Sequence, residues 1–227
     1  MSELHIRVRR FDSEGGRRVH AYDVSASETS SVLDVLLSIV ADQDPTLSFR
    51  SACRVGMCGT CAMVIDGREG LACQTAAGDS KGTMTLEPLR NLPIIKDLVV
   101  DLDPFFDRYR AIQPRGTHPS PSTEGTAMAT GDCITCGACL SACTMVTVNK
   151  SYVGPAALFR GLRLVEEEST DDAHSRLRDL ADSSGIYGCR GHLDCIRACP
   201  KDLPLAEAIH KLKRLAVSRS FDVLVRR

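Results

Sequence analysis

Leu4, Ile6 and Val8 alternate with His5, Arg7 and Arg9 in "LHIRVRRFDSEGGRRVHAYDV". That period of two marks a half-buried strand, and the stretch predicts two strands around a "SEGG" turn. The period then lengthens. In "SSVLDVLLSIVADQDP" the apolar stripe Val32, Val35, Leu36 and Ile39 predicts an amphipathic helix, with Ser31 and Asp34 spaced as a capping box. A hairpin follows in "AMVIDGREGLACQT", turning at Asp66-Gly67, and a last strand near "GTMTLEPL".

Two strands, a helix across them and further strands predict an α+β domain of the β-grasp kind. "DLVVDLDPFFDRYRAIQP" predicts a short helix leading away from it, and "QPRGTHPSPSTEGTAMATG" has the Pro, Ser, Thr and Gly content of a linker. Beyond it the period is helical. Leu158, Phe159, Leu162 and Val165 share one face, and Leu205, Ala208, Ile209, Leu212 and Leu215 share another. The expected division is therefore a β-grasp domain over 1–112, a linker over 113–131 and an all-α domain over 132–227.

Composition narrows the chemistry. The 227 residues are 43% hydrophobic and 25% charged, with a net charge of −1, so the chain has material for a core and no electrostatic case for binding nucleic acid. "MSELHIRVRR" lacks the apolar region of a secretory signal, and no stretch reaches the roughly 18 apolar residues of a membrane span. The expectation is a chain soluble by itself and peripheral to a membrane through partners. Its 11 cysteines are odd in number and tightly clustered, which favours metal over disulfides.

Cys53-x4-Cys58-x2-Cys61 with a later Cys73 is the plant-type ferredoxin spacing for a [2Fe–2S] centre. Four thiolates are the soft ligands that two tetrahedral irons require. Gly56 and Gly59 allow the loop to wrap closely and aim backbone N–H groups at sulfur. A structural zinc site, with two separated Cys-x2-Cys knuckles, fits this spacing poorly.

"CITCGACLSAC" holds Cys133-x2-Cys136-x2-Cys139-x3-Cys143, the run of bacterial two-cluster ferredoxins, in which the fourth thiolate serves the other cluster. The second run is "CRGHLDCIRACP", with Cys189, Cys195 and Cys199. By the crossing rule Cys199 closes a [4Fe–4S] site with Cys133, Cys136 and Cys139. Cys143, Cys189 and Cys195 remain, which is three ligands. Such a site takes either a [3Fe–4S] cluster or a second [4Fe–4S] cluster with a non-cysteine ligand. His192 stands where a ferredoxin has its middle cysteine, so it is a candidate either on or near that third cluster.

The stretches "CRVGMCGTCAMVIDGREGLACQT", "CITCGACLSAC", "GPAALFR" and "CRGHLDCIRACPKDLPLAEAIHKLK" resemble the iron–sulfur subunit of the succinate dehydrogenase and fumarate reductase family over almost the whole chain. The resemblance implies a [2Fe–2S], [4Fe–4S] and [3Fe–4S] relay with the same ligand sets. It also implies an FAD-containing flavoprotein partner that interconverts succinate and fumarate, hydrophobic membrane-anchor subunits and a quinone. The location it implies is peripheral, on the cytoplasmic side of the cell membrane. No catalytic residue is expected in this chain itself.

The chain departs from the family at the quinone end. Many relatives have proline after the cysteine at 143, where Thr144 stands, and a tryptophan soon after, whereas this sequence has none. Arg190 replaces the histidine that often follows the cysteine at 189. Menaquinone, a differently built quinone site or another acceptor stay open. The competing reading is an iron–sulfur relay in a soluble flavoprotein complex acting on another small acid. A redox sensor is a third reading, but it lacks a recognition surface; "KLKRLAVSRSFDVLVRR" reads as a solvated or docking helix.

Overall fold

The computed structural model describes residues 2–11, 16–27, 29–79, 82–113 and 133–225. The "SEGG" turn lies almost wholly outside them, as does nearly all of the expected linker. The chain resolves into two compact units that are interleaved in sequence. The first takes residues Met1–Asp103, Ile134–Ala142 and Ala198–Pro200; the second takes Pro104–Cys133, Cys143–Arg197 and Lys201–Arg227.

In the first unit, β1 (Ser2–Phe11) and β2 (Arg17–Ala26) are the two predicted strands and pair antiparallel. Leu4, Ile6 and Val8 are fully buried while Arg7 and Arg9 are exposed. The sheet order is β2-β1-β5-β3-β4, with β3 (Ala62–Ile65), β4 (Arg68–Leu71) and β5 (Thr83–Glu87). β5 runs parallel to β1 and antiparallel to β3, so the sheet is mixed. Helix α1 (Val32–Asp42) buries Val32, Val35, Leu36 and Ile39 in the same core. Its capping box is formed: the Asp34 N–H donates to Ser31 Oγ at 3.2 Å and the Ser31 N–H donates to Asp34 Oδ2 at 2.9 Å.

Two small strands that periodicity did not predict, β6 (Ile94–Lys96) and β7 (Val99–Val100), follow. Their hairpin carries Asp97, which is buried and anchors a polar network. Arg10 donates to both Asp97 oxygens, at 3.0 and 2.9 Å, and also to Asp44. Asp97 further accepts from the N–H groups of Phe11 and Ser48, and Asp44 from the Tyr22 hydroxyl. One guanidinium thus joins the end of β1 to two loops.

The expected helix after "DLVV" begins only at Asp103, where the first unit gives way to the second: α2 spans Asp103–Ala111, because Val99 and Val100 belong to β7. In the first unit, α3 (Ala138–Ala142) is a short helix within the cysteine run. The second unit continues with α4 (Thr144–Val148), α5 (Pro155–Glu167), α6 (Thr170–Leu180), α7 (Asp194–Arg197) and α8 (Leu205–Val225). Its regular elements are helical, as predicted. Leu158, Phe159, Leu162 and Val165 of α5 are buried, and so are Leu205, Ala208, Ile209 and Leu212 of α8; Leu215 is half-buried. The core also holds an ion pair between Arg176 and Glu168, nearly inaccessible to water. Among the described residues, no helix is long and apolar enough to cross a membrane.

Replacing Arg10 with alanine leaves the buried Asp97 carboxylate uncompensated and is expected to cost ~3 kcal/mol, read as a lowered denaturation midpoint. Asp44 predicts a pH dependence. Hydrogen bonds from the Thr46 and then the Tyr22 side chains hold its carboxyl down to about 2. A depressed carboxyl contributes stability that is present above its unfolded value and lost as pH falls through the folded one. Asp44→Asn should therefore flatten the loss of stability between about pH 4 and pH 2 in acid-unfolding curves.

Candidate metal centres

The first four cysteines are gathered by backbone. The segment after β4 is clamped onto the start of α1: Leu33 N–H donates to Ala72 O and Val32 N–H to Thr75 O, both at 2.9 Å. Ala72 N–H donates in turn to Cys61 O at 3.1 Å, which joins the Cys73 segment to the cysteine loop. Within that loop the N–H groups of Met57 and Cys58 both donate to Cys53 Sγ at 3.3 Å. Arg54, Gly56 and Gly59 adopt φ of 59°, 72° and 69°, and this left-handed winding turns those N–H groups inward. Cys61 is buried, Cys53 and Cys73 are half-buried and Cys58 is exposed.

The four thiols have unequal surroundings. Hydrogen bonds from the Thr60 side chain, then from the backbone at Cys53 and Thr60, bring Cys58 down to about 6. Burial pushes Cys61 up to about 11, and the neighbouring Cys73 thiol adds to it. Hydrogen-bond donors at Cys58 thus favour its thiolate, whereas burial at Cys61 opposes ionisation unless a cation is bound. Soft sulfur donors, inward N–H groups and no carboxylate among them fit a [2Fe–2S] group. Among the described residues, no three His, Cys, Asp or Glu side chains gather tightly enough to hold a single ion. A binuclear centre takes its four thiolates as two pairs, and a cubane takes one thiolate per iron, so neither needs such a knot.

Gly59 has a second role within the first unit. A Cβ built there lies 2.6 Å from Cys136 Cβ and 3.0 Å from Cys136 Cα. The loop of the first cysteine set thus touches backbone to backbone with a member of the second. Cys136 and Cys139 lie in this unit together with Cys199, and Cys133 belongs to the other.

In the second unit Cys143, Cys189 and Cys195 line one small cavity, as their expected partnership requires. Cys143 immediately precedes α4 and Cys195 sits in α7. Burial raises Cys195 to about 12, with the Cys143 and Cys189 thiols adding to it, and burial likewise raises Cys143. Backbone N–H groups at Val146 and Met145 pull Cys143 the other way. Three mutually repelling thiolates in one part-buried cavity need a metal's charge to coexist. That donor set fits a three-thiolate iron–sulfur cluster.

His192 lines the same cavity from its exposed rim, beside Arg190 and Leu193. Sequence reasoning missed two further neighbours. Tyr152 is 1% exposed and lines the cavity, and Lys213 Nζ donates to Cys189 O at 2.8 Å. No periodicity or spacing marks either one.

Two family models cover these regions: the 2Fe-2S iron-sulfur cluster binding domain matches residues 5–107 and the 4Fe-4S dicluster domain matches residues 129–203. The chain is 38% identical, over 208 residues, to succinate dehydrogenase (ubiquinone) iron-sulfur subunit 1, mitochondrial, of Oryza sativa subsp. japonica, an alignment covering 86% of this chain and 74% of that protein. The chain belongs to the iron–sulfur subunit family of succinate dehydrogenase and fumarate reductase. It is also 33% identical to the fumarate reductase iron-sulfur subunit of Escherichia coli O6:H1, over 99% of this chain and 96% of that one. A chain in the structure titled Mycobacterium smegmatis Sdh1 complex in the apo form superposes with a TM-score of 0.85 at 26% identity, covering 96% of this chain and 97% of that chain. Membership favours the electron-transfer subunit of that oxidoreductase family over a soluble relay for another acid.

Gly59→Ala should displace the cysteine loop, since the added methyl meets the Cys136 backbone. Loss of the [2Fe–2S] visible and EPR signature in the variant is the expected result. Gly67→Ala is the control: its φ of 82° is equally unfavourable, but nothing lies within 4 Å. It should pay only about 1–2 kcal/mol of backbone strain and keep the signature.

Proposed function

We propose that this chain carries single electrons between a flavoprotein that interconverts succinate and fumarate and a quinone at a membrane anchor. Cys53, Cys58, Cys61 and Cys73 would hold a [2Fe–2S] group, and Cys133, Cys136, Cys139 and Cys199 a [4Fe–4S] group. Cys143, Cys189 and Cys195 would hold a [3Fe–4S] group, with His192 beside it and not on it. The domain limits proposed from sequence, 1–112, 113–131 and 132–227, are supported by the separate spans of the two family models. The observation that carries the reading is the contact of Gly59 with Cys136. It lays one cysteine set directly against the next, as hopping between carriers requires.

Bound iron and sulfide supply the one-electron chemistry; the protein supplies ligation, N–H donors and exclusion of water. Met57 and Cys58 N–H groups stabilise added negative charge at Cys53. The exposed side chains of Val55 and Met57 flank the exposed Cys58, and this apolar rim suits docking of the flavoprotein. In the second unit, Leu193 on the rim of the cavity, with Tyr187 and Val148 also exposed, supplies apolar surface suited to the anchor. The peripheral position on the cytoplasmic side of the membrane is part of this proposal.

EPR of the anaerobically purified complex tests the scheme. A [3Fe–4S] signal is expected as isolated, with [2Fe–2S] and [4Fe–4S] signals after dithionite. Cys73→Ser should weaken or shift the first centre alone. Two reduced cubanes and no oxidised [3Fe–4S] signal would instead mean a second cubane with a non-cysteine ligand, and His192 would be the candidate for it.

A further inference from the structure

We propose that Tyr152 sets the potential of the third centre by donating a hydrogen bond from its phenol to the Cys189 sulfur. This rests on reading Cys143, Cys189 and Cys195 as that centre's ligands.

Four observations converge on it. Tyr152 lines the cavity together with all three cysteines. It is among the most deeply buried large side chains, at 1% exposure, where a phenol hydroxyl must find a partner or pay for desolvation. Its ring is held in place by Gly188, the residue just before Cys189: a Cβ there would lie 2.5 Å from Tyr152 Cδ2. Backbone bonds fix the segment on both sides, Tyr152 N–H to Asn149 O at 3.1 Å and Val153 N–H to Ser184 O at 2.8 Å.

A phenol keeps its proton at neutral pH, so the hydroxyl is a donor in both redox states. The only transfer is of one electron, which arrives from the neighbouring carrier and leaves to the acceptor. That electron adds negative charge to the sulfurs, so a donor aimed at Cys189 strengthens on reduction and raises the potential. Tyr152 is a positioning and tuning residue and makes no bond to iron. Phenylalanine there would fill the same space without the donor.

The test is an EPR-monitored redox titration of the third centre in the intact complex, comparing wild type with Tyr152→Phe. The ring is kept, so the signal should survive. The reduction equilibrium constant should fall by about tenfold, which for one electron is about 59 mV. Site-specific 3-fluorotyrosine at position 152, a more acidic donor of nearly the same size, should shift the constant the opposite way. A midpoint unchanged in both variants, with the signal intact, overturns the inference while leaving the ligand assignment standing. A wild-type complex with no third centre overturns the assignment and the inference with it. Should Tyr152→Phe lose its signal, the fluorotyrosine titration decides: an upward shift supports the hydrogen bond, and no shift overturns it.

Discussion

Several thiolates cannot share a small, partly dry volume unless a cation joins them. Burial and mutual repulsion raise Cys61, Cys143 and Cys195, while local hydrogen bonds lower Cys58. The fold holds these thiols together regardless, by backbone hydrogen bonds and left-handed loop residues. The stability given up in doing so is recovered only when metal binds. In each unit a frame of its own supports that arrangement: the polar clamp of Arg10, Asp44 and Asp97 with the mixed sheet in the first, and the α5–α8 packing in the second.

The route of charge follows from the first of these frames. The capped N-terminus of α1 fixes the segment bearing Cys73, and Gly59 lets the cysteine loop meet Cys136 without an intervening side chain. Distance controls electron hopping, so a methyl group at position 59 matters more than most changes on the surface. In the second unit, Tyr152 and the N–H groups of α4 supply donors to the third cysteine set. These are this chain's own means of adjusting a potential, whatever the acceptor beyond Arg190 and Thr144 proves to be.

Much of this was legible in the sequence because the signals were local or strictly periodic. Leu4, Ile6 and Val8, the Ser31–Asp34 box and the Asp66-Gly67 turn each state their meaning within a few residues, and the cysteine spacings carry the proposed ligand sets. What escaped was long-range. Val99 and Val100 look like the approach to a helix, but they pair with β6 because Asp97 is drawn to Arg10 from the other end of the unit. Residues 134–142 and 198–200 join the first compact unit although they follow the linker, and no spacing rule anticipates that. Tyr152 is a single aromatic in "SYVGP", and its role depends on Gly188 and Cys189, more than 35 positions away.

The central claim is that the eleven thiols are ligands to iron in three separate clusters. Iron and acid-labile sulfide analysis of intact, anaerobically handled complex, counted per copy of this chain, tests it most directly. The account predicts about nine irons, the sum of two, four and three, with about ten sulfides, the sum of two, four and four. Zinc in place of iron, cystine bridges, or iron without labile sulfide would contradict it.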